Sequence, residues 1–161
     1  MIKHLLALSL LATPLAAQDA NTALSVMGEQ CVDGLMRDLR AGPSGMMAAD
    51  AATNATILSG AGGNVWTAGN LVLFDLDQSP VCGIYMVETP ISGQAIGQWA
   101  SRWQLTEAPQ EAGTRRFIRR YSDAEVLMVF VASSQNPQLV EITGRILPAN
   151  DWTNRILAGG N

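Results

Sequence analysis

Between Leu71 and Glu88 the chain reads LVLFDLDQSPVCGIYMVE, two apolar runs around a polar turn. Strand side chains alternate between faces. Val72, Phe74 and Leu76 therefore share one face of a first strand, and Leu71, Leu73, Asp75 and Asp77 share the other. Gln78-Ser79-Pro80 supplies the turn, since Pro fixes φ and donates no hydrogen bond. In the second strand Cys82, Ile84 and Met86 lie on one face, with Val81, Gly83, Tyr85 and Val87 opposite. It stays apolar on both faces, as an interior strand does. Asp75 and Asp77 read as the solvated end of the first strand.

The same pattern changes period elsewhere. Leu24, Met27, Cys31, Leu35 and Leu39 recur at steps of three and four and predict a helix from about Ala23 to Arg40, ended by Gly42-Pro43. Ser44 caps a short second helix to about Ala52, with Met46 and Met47 as core filler. Thr53 to Asn64 is small, polar and Gly-rich and reads as loop, including a Gly-rich run that lacks the Lys-Ser/Thr of a phosphate loop. Asn64 to Thr67 predicts a short strand carrying Trp66. Thr89-Pro90 opens a helix to about Leu105, with Ile96, Trp99 and Trp103 on one stripe facing the sheet. Thr106 to Gly113 reads as loop. Three strands follow, over Thr114–Tyr121, Glu125–Ser133 and Gln138–Leu147, and a tail docks through Trp152 and Ile156. The fold class expected is α+β, a largely antiparallel sheet of about five or six strands with helices packed on one face. Each half reads as a helix followed by about three strands, without any echo between the residues themselves.

The N-terminus has its own pattern. Lys3 precedes an apolar core from Leu5 to Ala12, and Thr13 to Ala17 leads to a cleavage site near Gln18. Residues 1–17 read as a secretory signal peptide and residues 18–161 as a single exported domain of the periplasm. The apolar run is far short of the ~20 residues of a spanning helix, and no transmembrane segment is expected in the mature chain.

Removing that leader alters the chemistry open to the chain. Lys3 is the only lysine and His4 the only histidine, so the mature domain has neither, and nine arginines face fourteen acids for a net charge of −5. Such a balance disfavours nucleic acid as a partner. Triads built on His, His-ligated metal sites and lysine Schiff bases are excluded. Cys31 and Cys82 remain, an even count that in an oxidising compartment predicts one disulfide across 51 positions. A loop of that length is worth about 4 kcal/mol in the chain-entropy model. No catalytic residue, cofactor or metal ligand set is assigned.

The conspicuous charged segment is Arg115-Arg116-Phe117-Ile118-Arg119-Arg120-Tyr121. Arg115, Phe117, Arg119 and Tyr121 share one face of a strand and form the candidate ligand-binding set, because guanidinium forks suit carboxylate and phosphate groups. Charge on both faces also suits an edge strand guarded against aggregation. The function expected is a non-enzymatic binding or interaction domain for a protein or envelope component. Two alternatives stand beside it. One is a carboxylate-dependent hydrolase of envelope glycans, drawing on Asp75 and Asp77 with Glu88 or Asp123. The other is a structural or assembly factor of the envelope.

Overall fold

The computed structural model describes residues 19–37, 42–135 and 138–159. The leader and its cleavage site, together with Leu39, lie outside the described residues. The N-terminal helix runs in three segments, α1 (Ala20–Val26), a π-helical stretch (Met27–Asp33) and α2 (Gly34–Arg37). Then come β1 (Met47–Ala48), α3 (Ala51–Ile57), β2 (Gly63–Ala68), β3 (Leu71–Leu76), β4 (Val81–Val87), α4 (Gly93–Arg102), β5 (Thr106–Glu111), β6 (Thr114–Arg120), β7 (Glu125–Gln135), β8 (Gln138–Pro148) and α5 (Asp151–Leu157).

The strands form one antiparallel sheet of eight, in the order β1-β2-β3-β4-β8-β7-β6-β5. The expectation of five or six strands missed two, one on each edge. β1 is only two residues long, where a second helix was expected, and that helix instead starts at Ala51, capped by Asp50. Met47, expected in the core, is 60 % exposed on this edge strand. β5 has the sequence TEAPQE, with Ala108 its one buried side chain. Its polarity and its Pro read as loop, yet Pro is tolerated on an edge strand, and pairing with β6 supplies what local propensity does not.

Helices cover both faces rather than one. On the first face the N-terminal helix and α4 pack over Leu71, Leu73, Ile84, Met86, Ile142, Leu127, Val129 and Phe117. On the other, α5 places Ile156 on Ile118, Val126 and Met128. Beyond the opposite end, Ile57 and Leu58 join Val65 and Phe74. Trp152 and Ile156 dock as expected, but from a helix. Asn150 and Thr153 form its capping box, with Thr in place of the usual Glu or Gln.

The Cys31–Cys82 disulfide is formed, with Cα atoms 5.2 Å apart. It ties the π-helical stretch to β4 on the face that also carries Ile84 and Met86, as the apolar stripe predicts. Each half of the chain is a helix leading into a four-stranded meander, and the halves meet where the last strands, β4 and β8, pair about Ile84 and Ile142. The repeat is one of topology, with both leading helices on the same face.

Candidate functional site

The arginine strand is interior. β6 lies between β5 and β7, so it is not the guarded edge its charge suggests. Each guanidinium meets a partner from the protein itself. Arg115 donates through Nε and Nη2 to both carboxylate oxygens of Glu107 at 2.8 and 3.0 Å, and through Nη1 to the Gly93 carbonyl at 2.8 Å. Its plane stands 5.1 Å from the centre of the Phe117 ring, which is itself buried. Arg119 donates to the Trp103 carbonyl at 3.1 Å. These two arginines thus hold the two ends of α4, and Arg119 satisfies a carbonyl left open at its C-terminus. On the other face Arg116 bonds Glu111 and the Pro109 carbonyl and lies over Trp152, while Arg120 reaches Asn154. Tyr121 is half-buried at the strand's end. The structure brings Arg115, Phe117 and Arg119 together beneath α4, where they position that helix.

Of the candidate carboxylates, Asp75 and Asp77 meet at the Asn64 amide, while Glu88 and Asp123 stand apart from them. Asp75, expected in solvent, is buried, and its Oδ1 accepts from the backbone N–H of Asn64 at 3.1 Å and from the Asn64 side-chain amide at 3.0 Å. These bonds offset the cost of removing the acid from water. A cavity of about 10 Å³ beside it is lined by no other acid. Glu88 follows β4 at the opposite end of the hairpin, given the Leu71–Met86 and Asp75–Cys82 pairings. Asp123 lies in the β6–β7 turn, three strand spacings from β3, roughly 14 Å at about 4.8 Å per spacing. Two-carboxylate hydrolysis requires acids no more than about 9.5 Å apart, which Asp123 exceeds. Asp75 and Asp77 do meet it, since both accept from the Asn64 amide, at 3.0 and 3.5 Å, but Asp75 is buried, and so the pair does not open to a substrate. Among the described residues no cluster of three or more acidic, Cys or His side chains could hold a metal ion.

What α4 and the N-terminal helix enclose is larger. A groove of about 620 Å³ runs between them. The N-terminal helix contributes Asn21, Thr22, Leu24, Ser25 and Glu29, and α4 with its cap contributes Ala95, Gln98, Trp99, Arg102 and Trp103. The geometry follows from local sequence. Ser92 caps α4 by accepting from the Ala95 N–H at 3.1 Å, so the helix starts there rather than at Pro90. Trp99 then points to the core while Gln98 and Arg102 border it. On the opposite wall Gly28 admits the Trp103 indole, for a Cβ at that position would lie 2.2 Å from the ring.

Two exposed groups of the groove, and one buried behind its wall, have bonding capacity left. Trp99 is 5 % exposed, and its Nε1 is buried without an acceptor; a buried indole N–H normally has one. Arg102 makes no ion pair or side-chain hydrogen bond among the described residues, unlike every arginine of β6. Among the described residues Glu29 accepts only from the Ser25 hydroxyl, at 2.8 Å. The sequence marks Gln98 and Arg102 as positions off the apolar stripe, and Ser25 and Glu29 as an i, i+4 polar pair. Nothing in the sequence says that these two polar flanks face each other. Comparison of the chain with family models, with curated proteins and with solved structures finds no match.

Proposed function

We propose that the chain is an exported, non-enzymatic binding domain of the periplasm, and that its partner, a protein or envelope component, enters the groove between the N-terminal helix and α4. The observation that carries the reading is a groove of about 620 Å³ whose two walls bring Glu29 and Arg102 together with Gln98, Asn21 and two indole rings, Arg102 having no ion pair or side-chain hydrogen bond among the described residues. A concave site with a few convergent polar groups is where small ligands and chain segments bind. The lining offers donors, amides and indole faces, but one carboxylate, Glu29, and so lacks the acid pair a glycoside hydrolase uses. Export is supported by the leader pattern and by the closed Cys31–Cys82 bond, which belongs to oxidising compartments. Among the described residues no helix is long and apolar enough to cross a membrane.

The four tryptophans make the test direct. In amide NMR of the disulfide-intact protein, titration with fractionated envelope extract should shift the indole N–H signals of Trp99 and Trp103. Those of Trp66 and Trp152, outside the groove, should stay in place. Shifts confined to Trp152, or no shift with any fraction, would overturn the assignment.

A further inference from the structure

Resting on that reading of the groove, we infer that its ligand is a zwitterion of the amino-acid or short-peptide class, with an ammonium on Glu29 and a carboxylate on Arg102. The two charges stand on opposite walls, Glu29 on the π-helical stretch and Arg102 in the last turn of α4. They form no ion pair with each other. Arg102 carries five N–H donors, and Glu29 has about four lone-pair sites of which one is used. The groove's formal charge is therefore zero, divided between two poles. A simple anion would meet Glu29, and a simple cation would meet Arg102. A ligand with both charges satisfies both walls.

The groups between the poles suit the rest of such a molecule. Trp99 adds part of its ring to the wall, its N–H being buried behind it. The side-chain amides of Gln98 and Asn21 both donate and accept, as a peptide group requires. Leu24 and the half-buried Trp103 give an apolar floor for one side chain. A sugar acid would use Arg102 and the amides but set its hydroxyls against an unmatched Glu29 charge.

The probe is the dipeptide Ala-Leu, with its N-acetyl and C-terminal amide forms and glucuronate beside it, titrated into the disulfide-intact protein by calorimetry and indole NMR. Millimolar binding of the free dipeptide is expected, with Trp99 and Trp103 signals shifting. Each blocked form should bind about fivefold more weakly, the size of one partly exposed charge contact. Glu29→Gln should abolish the penalty for acetylation alone, and Arg102→Gln the penalty for amidation alone. Both positions are exposed, so melting should confirm that the variants fold. Equal binding of free and blocked dipeptides, tighter binding of glucuronate, or no indole shift at millimolar dipeptide would overturn the inference. If envelope fractions still shift Trp99 and Trp103 in that event, the groove stands as the site and only its ligand class falls.

Discussion

The Trp103 indole occupies the space a side chain would fill at Gly28, where an added Cβ would come within 2.2 Å of the ring. This contact joins the π-helical stretch to the end of α4 and sets how far the groove's walls stand apart. Gly28→Ala should destabilise the fold by about 1–3 kcal/mol, the usual cost of overpacking a close contact. Trp103 is half-buried and is the side that must yield, so its near-UV dichroism should change as well. Urea melts with an unchanged midpoint and an unchanged aromatic spectrum would show that the contact does not govern the helix pair.

The disulfide gives a second expectation. Cys31→Ser and Cys82→Ser break the same bond, so the double variant should lose no more than either single, with each loss near 4 kcal/mol for a 51-residue separation. Because Cys31 lies in the helix that forms one wall, reduction should also weaken any ligand held in the groove. Two titratable thiols in unreduced, denatured protein would refute the pairing.

Much of this architecture is visible in the residue pattern, and the failures have identifiable causes. The Leu71–Val87 hairpin and the Leu24, Met27, Cys31, Leu35 stripe are legible because burial on one face imposes its period directly. β5 is not legible, because Thr106 to Glu111 takes its conformation from β6 and buries only Ala108. Asp75 misleads for a related reason. Its strand end is closed by Asn64 on β2, and that partner lies 11 residues away with no signature in sequence. The arginines of β6 look like a binding strip because sequence shows their number but not their partners, which come from α4, β5 and α5. Of the groove, the helices and their stripes can be read, whereas the facing of Glu29 and Arg102 depends on how the helices cross.

Helix caps provide a pH-dependent expectation. Asp19 accepts from the Thr22 N–H at 2.7 Å and Asp50 from the Thr53 N–H at 2.8 Å. These backbone bonds, followed by the hydroxyls of the same threonines, hold both carboxyls below the ordinary 3.8. A carboxyl lowered in the folded state stabilises it fully above that ordinary value and ceases to do so as pH falls through the lowered one. The protection of α3 amides from hydrogen exchange, corrected for the intrinsic rate at each pH, should therefore fall in acid relative to pH 7. Asp50→Asn retains a good cap without the charge, and should remove that acid sensitivity. Acid fraying of equal extent in the Asn variant would assign it elsewhere.

Arg115 and Arg119 bind either an outside ligand or only α4. In the structure Arg115 bridges Glu107 to the Gly93 carbonyl, and Arg119 caps the Trp103 carbonyl. The side chain of Arg115 is 23 % exposed and its partner Glu107 is 50 % exposed, so much of the ion pair is screened by solvent. The bonds to helix carbonyls lie nearer the protein and contribute more. Replacing both arginines with Ala should cost about 1–3 kcal/mol in a urea melt and loosen α4, which the fluorescence of Trp99 and Trp103 would report. Glu107→Gln, which spares both carbonyl contacts, should cost less than about 1 kcal/mol. A double variant of unaltered stability that had lost an anionic ligand would restore the strand to a binding role. Lowered stability together with proportionate weakening at the groove is the expected result, because these two guanidiniums hold the helix that carries Trp99 and Arg102.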